Sequence, residues 1–245
     1  MKRVAYRESA RMVLIVVGCF AGCFAPGFPG GNAGCRLVAA EPEAMFDGKT
    51  LDQWDGDKQW WKVEDGAIVG STFDAMVPTN VCLVWKGEPV KDFRWTFQAK
   101  VDVPHNCAAV IYRGWVLDDQ EWRCAGYRFP IEVGAGYIGM LWGEQLNRGR
   151  IATRGQKVVV NPDTGWPVVV DKVSEITPIH IGKWHTYEIE ARGNHLIHKI
   201  DDVVAIDAED NHPQALTEGV IALQLHVRGP MRAWFKDLQL ERLDD

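Results

Sequence analysis

The sequence predicts an all-β protein, a sandwich or barrel built from many short strands. Nearly every patterned segment alternates apolar and polar residues with period two. Turn residues recur about every ten positions. No long segment beyond the N-terminal region carries a helical stripe.

The elements follow in order. Trp61-Lys62-Val63 and Ala67 to Ser71 flank the turn Glu64-Asp65-Gly66, a hairpin signal. Phe93 to Val101 (FRWTFQAKV) alternates without a break, as do Ala109 to Arg113, Tyr187 to Ala191 and Trp234 to Leu243. His195 to Ile200, the turn Asp201-Asp202, and Val203 to Asp207 read as a second hairpin. From Gly143 to Lys183 the pattern loosens around VVVNPDTGWPVVV, a long excursion of the kind that forms sites. In GVIALQLHV, Ile221, Leu223, Leu225 and Val227 alternate with Ala222, Gln224 and His226. With the apolar set in the core, Gln224 and His226 share the opposite face and are expected to line a site.

The N-terminal region reads as an export signal. Lys2, Arg3, Arg7 and Arg11 precede an apolar run from Met12 to Phe24, too short to span a bilayer with any margin. Val38-Ala39-Ala40 fits a cleavage site, after a Gly/Pro-rich spacer. Residues 1–40 are therefore assigned to leader and spacer, and 41–245 to one domain with no membrane span. The expected location is periplasmic or extracellular. Phe20-Ala21-Gly22-Cys23 allows an alternative, a lipid anchor on Cys23.

Roughly 205 residues suffice for one well-buried domain. The net charge is -6 and no basic block survives past the leader, which excludes a nucleic-acid surface. Cys82, Cys107 and Cys124 remain beyond the leader, an odd number without metal-type spacing; one disulfide is allowed and its pairing is open. The 11 Trp and 9 Phe suit a sandwich core, and exposed rings would suit sugar faces.

The order of motifs then resembles a known family. Phe46 to Trp54 (FDGKTLDQW), Trp61 to Gly66 (WKVEDG), Asn106 to Arg113 (NCAAVIYR), Gly126-Tyr127, Gly182 to His185 (GKWH), Ile221 to His226 and Phe235 to Leu238 together resemble the 3-keto-disaccharide hydrolase domain. The likeness runs from about residue 45 to 243. It implies a concanavalin A-like jelly roll of two antiparallel sheets whose concave face holds carbohydrate, and action on glycosides oxidised at sugar carbon 3. The chain departs from the family after Gly126-Tyr127: Arg128 and Pro130 stand where polar or acidic residues are usual, and Glu132 is the nearest carboxylate. Gly136 to Glu144, with Arg148 and Arg150 beyond, resembles a subgroup's glycine-tyrosine strand.

A ketone at carbon 3 acidifies the hydrogen on carbon 2. Its removal gives an enolate that expels the carbon 1 substituent, and water then adds. The route needs a base within reach of that proton. It also needs positive charge or donors beside the ketone oxygen, for which arginine or a divalent metal is suited. The candidates are His226, Glu132 and Glu144 for acid–base work and Arg113 for the oxygen, with Gln224, Tyr127, Trp142 and Arg148 as sugar contacts. His105 and Asn106 read as a loop cap, and His185, His195 and His198 show no ligand spacing with a carboxylate. The contrasting reading is a non-catalytic carbohydrate-binding jelly roll, favoured by the altered Gly126 to Glu132 segment. No nucleophile elbow, zinc-protease motif or phosphate loop is present.

Overall fold

The computed structural model describes residues 41–75, 77–102, 108–131, 137–173, 178–227 and 229–243, all within one compact unit, Ala39–Asp245. The leader, the spacer and the Cys23 alternative lie outside the described residues. Among the described residues there is no helix, and so none long and apolar enough to cross a membrane.

Strands account for the regular structure. β1 (Glu43–Ala44) and β2 (Trp54–Asp55) are short, and β3 (Trp61–Glu64) pairs with β4 (Ala67–Ser71) in the expected hairpin. Asp65 and Gly66 turn that hairpin with φ of 50° and 73°, the left-handed region that a tight turn requires. β5 (Val81–Trp85), β6 (Phe93–Val101), β7 (Ala108–Asp118) and β8 (Arg123–Ile131) follow. The excursion becomes β9 (Leu141–Glu144), β10 (Gly149–Ala152), β11 (Gln156–Val160) and β12 (Pro167–Lys172). β13 (His185–Arg192), β14 (His195–Ile200), β15 (Val203–Glu209), β16 (Val220–Leu225) and β17 (Arg232–Arg242) complete the chain.

Two sheets face each other. A 10-stranded sheet runs β12-β11-β15-β14-β13-β6-β17-β4-β3 with β1 on β17, and a 7-stranded sheet runs β10-β9-β8-β7-β16-β5-β2. All pairings are antiparallel except β11 with β15. The alternation read in the sequence is the physical cause: in β6, Phe93, Trp95, Phe97, Ala99 and Val101 are buried while the residues between them are half-exposed. Rings fill the space between the sheets. Phe97 stacks on Tyr187 at 5.4 Å, Phe129 meets Tyr187 edge-on at 5.6 Å, and Phe129 stacks on His198 at 4.1 Å. The core use of tryptophan holds for Trp54, Trp60, Trp61, Trp85 and Trp95, whereas Trp115 and Trp166 are exposed.

Only part of the excursion is sheet edge. VVVNPDTGWPVVV is a hairpin at the edge of the 10-stranded sheet, turned by Asn161, whose Oδ1 accepts from Asp163 and Thr164 N–H at 2.9 Å each.

One feature shapes the outer face of that smaller sheet. β7 and β8 bend where Arg113 (φ 48°) and Gly126 (φ 153°) leave extended geometry, and their register shifts between Tyr112 and Trp115. The distal hairpin, residues 115–125, folds onto the outer face as an arm. The Trp122 carbonyl there accepts from Cys82 N–H of β5 at 2.8 Å. Cys82, Val84, Ile111, Cys124 and Ala222 form a small second core beneath it. The bend needs glycine: a Cβ on Gly114 would sit 2.3 Å from the Ala125 carbonyl oxygen, and one on Gly219 would sit 2.3 Å from that of Gly114. Gly114→Ala is therefore expected to cost about 1–3 kcal/mol, read as a lower urea midpoint. An unchanged midpoint would mean that the arm moves freely to admit the methyl group.

Candidate functional site

Phase and register decide what the outer face of the 7-stranded sheet presents. Ile221, Leu223 and Leu225 of β16 lie in the main core, so Ala222 and Gln224 point outward. In β8, Tyr127, Phe129 and Ile131 are core residues, which sends Arg128 outward. Ala222 is opposite Ile111, Ile111 opposite Arg128, and Arg128 opposite Trp142, so these four form one row across the face. In β9, Leu141 is core, leaving Trp142 and Glu144 on the outer side.

Three polar side chains meet there. Arg128 Nε donates to Gln224 Oε1 at 2.8 Å and lies 4.0 Å from Glu144 Oε2. Asn80, just before β5, donates from Nδ2 to Glu144 Oε1 at 2.9 Å, and its Oδ1 accepts from Val227 N–H at 3.1 Å. That second bond ties the exit of β16 to the site and holds His226 beside it, half-buried and two residues beyond Gln224. Gln224 is 1 % exposed, and Arg128 and Glu144 are 6 % exposed each. A guanidinium and a carboxylate this deep persist because each has hydrogen-bonding partners; unpaired, either would be costly to bury.

The sequence-predicted residues divide. Gln224, Glu144 and Trp142 share the outer face, and His226 lies just past the end of β16, next to Val227, whose N–H bonds to Asn80. Glu132 lies outside the described residues, as do His105, Asn106 and Cys107. Arg113 does not join the group. It is fully buried, donating to the carbonyls of Lys91 (2.8 Å), Gly193 (2.6 Å) and Leu216 (3.0 Å) and to Asp92 Oδ1 (2.9 Å). Burial draws its pKa below the usual arginine value. The bend at Arg113 breaks the β7 alternation, so extending the phase of Ala109 and Ile111 to it fails.

Tyr127 and Arg148 are also structural here. Tyr127 is a core residue whose hydroxyl donates to Asp210, and Arg148 grips the same carboxylate through two bonds of 2.7 and 2.6 Å. Burial, followed by the neighbouring Asp210 charge, pushes the Tyr127 phenol well above its ordinary value. The alternation of β8 places Tyr127 in the core, which the resemblance to a Gly-Tyr motif obscures.

Arg128 and Asn80 are the residues that sequence reasoning missed as site members. Arg128 had a signal: a charged residue at the outward phase of an otherwise apolar strand. Asn80 had none, since it sits in a loop.

The donor set of the described residues does not suit a bound metal. Among the described residues no three His, Cys, Asp or Glu side chains gather as ligands, and the only carboxylate of the cluster, Glu144, already faces Arg128.

Comparison with known families decides the kinship. The family model of the 3-keto-alpha-glucoside-1,2-lyase-like domain matches residues 41–241. The chain belongs to this family. Among solved structures, one described as a "putative glycosyl hydrolase" from Parabacteroides distasonis has a TM-score of 0.57 at 16% identity, covering 83% of this chain and 95% of that one. The laminarinase catalytic domain from Thermotoga maritima has a TM-score of 0.52 at 10% identity, covering 85% of this chain and 99% of that one. A Bacillus subtilis protein of unknown function with a galectin-like fold has a TM-score of 0.52 at 8% identity, covering 84% of this chain and 98% of that one. At these identities the likeness establishes the fold, a jelly-roll sandwich shared with carbohydrate-active proteins. No match is found among curated proteins.

Proposed function

We propose that this family member is an exported carbohydrate-active protein that cleaves or hydrates 3-keto-glycosides on the outer face of its 7-stranded sheet. The observation that carries the reading is the Arg128–Gln224–Glu144 cluster with His226 beside it. His226 takes the proton from sugar carbon 2, and the electron pair passes to the ketone oxygen. Arg128 supplies positive charge for that oxygen, the role that sequence reasoning gave to Arg113. Collapse of the enolate breaks the carbon 1–oxygen bond, and the departing oxygen takes up a proton. Water then adds across the new double bond. Glu144, oriented by Asn80, either protonates the leaving oxygen or directs the water; Glu132 has the chemistry to share that task. The half-buried Trp142 offers a ring to the sugar face.

The burial of Gln224, Arg128 and Glu144 favours a second reading, a non-catalytic sugar-binding module in which the cluster braces the sheet.

Incubation with a 3-keto-disaccharide, with and without a chelator, separates the two by release of the second sugar. His226→Ala is expected to lower turnover by about a hundredfold or more while the fold is retained. Binding without turnover in the parent protein would leave the module reading. Neither binding nor turnover would remove the site from this face.

A further inference from the structure

Cys82 and Cys124 come from elements 42 positions apart that meet only because the arm folds back. Cys82 lies on β5, opposite Gln224, and Cys124 lies at the base of the arm, opposite Val116. Both side chains are buried in the second core, and neither is bonded to another cysteine. The 2.8 Å bond from Cys82 N–H to the Trp122 carbonyl holds the two backbones together. Cys124 follows two residues after the Trp122 carbonyl that Cys82 N–H reaches, so both side chains enter the same small cluster.

We propose that Cys82 and Cys124 form an intramolecular disulfide that staples the arm to β5 when the chain folds in an oxidising compartment. The compartment follows the export reading; the pairing rests on the geometry alone. The oxidant is a small-molecule or protein disulfide. One cysteine thiolate attacks it, releasing one thiol and leaving a mixed disulfide; the second cysteine attacks the protein sulfur of that intermediate and releases the other thiol. Two protein thiols thus lose two hydrogens, and the oxidant's disulfide becomes two thiols. The exchange occurs before the arm closes, because burial excludes reagents afterwards and pushes the Cys82 thiol up, away from its reactive form.

The staple would matter for the site. It fixes β5 beside Gln224 and holds the arm down on Ala222 and Ile111, which border the Arg128 cluster. It also closes a long loop, where a cross-link removes the most freedom from the unfolded chain.

The test refolds the denatured chain, freed of its leader, in a glutathione redox buffer, then alkylates it after denaturation without reductant. The expected product is lighter by two hydrogens, carries alkyl groups on neither Cys82 nor Cys124, and yields a cross-linked peptide containing both. Its Tm should exceed that of the reduced form by on the order of 5–10 °C. Cys107→Ser should form the same bond. A Cys124→Ala variant should show no such gap between redox states and should be cut by trypsin after Arg123 faster than the oxidised parent. Full alkylation of Cys82 and Cys124 in the oxidatively refolded parent would overturn the proposal, as would a cross-link from either residue to Cys107. Because refolding is done in vitro, a failure here is separate from a failure of export or of sugar chemistry.

Discussion

Acidification from pH 7 towards pH 3 is expected to remove roughly 3–5 kcal/mol of folding stability through His198 alone. His198 sits on β14 between the sheets, fully buried, with Phe129 stacked on its ring and its Nε2 bonded to the Tyr112 hydroxyl at 2.9 Å. Burial pushes its pKa from 6.5 down to about 3, while the backbone at Gly139 and Met140 pulls weakly the other way. The unfolded histidine takes up a proton once the pH drops below about 6.5, whereas the folded one stays neutral until about 3. Throughout that window the unfolded state binds more protons, so stability falls as pH falls; above it this group adds no slope. Tyr112 stays neutral over the same range, because burial pushes its phenol upward. Urea midpoints at pH 7, 5 and 4 measure the slope. His198→Gln keeps a hydrogen-bonding partner for Tyr112 without a titrating group, and should flatten the curve in this window. An equally steep loss in that variant would place the acid sensitivity elsewhere.

His198 also marks what the sequence made legible and what it did not. The hairpin over His195 to Asp207 was readable from its period, but that His198 is the residue pinned between two sheets depends on which strand of the other sheet lies opposite. The same limit governs the site. Alternation in GVIALQLHV is enough to place Gln224 outward, because a strand with one face in the core has no other choice of phase. It does not foretell that Gln224 is 1 % exposed, since Arg128, which bonds to it, comes from β8 and is not local to β16. The arm itself depends on backbone-to-backbone contact among Gly114, Gly126 and Gly219, which leaves no periodic trace. Where β7 bends, the period-two rule lapses, so extending it to Arg113 puts that side chain on the wrong face. Tyr127 differs in kind: the plain alternation of Tyr127, Phe129 and Ile131 puts it in the core, whatever its Gly-Tyr motif implies.

Arg113→Met is expected to cost about 3–5 kcal/mol of stability, the range for removing one partner of a buried, hydrogen-bonded charge. The guanidinium joins four segments of chain: the Lys91–Asp92 approach to β6, the β13–β14 turn at Gly193, the Leu216 loop before β16, and β7 itself. Its loss leaves three carbonyl oxygens and the Asp92 carboxylate without their guanidinium donor; Asp92 keeps a bond from Gly193 N–H, 2.9 Å. Methionine fills much of the vacated volume, so the penalty reads polar loss more than cavity. Lysine should rescue little, because one ammonium on a flexible stem cannot reproduce the planar fork that spans three carbonyls and a carboxylate. The measurement is a urea midpoint that falls with an unchanged m-value, alongside turnover of a 3-keto-disaccharide per folded molecule. A structural Arg113 lowers the first and spares the second at temperatures where the variant is folded. Were Arg113 instead the group beside the ketone oxygen, stability would hold and turnover would collapse, and Arg128 would lose the role assigned to it.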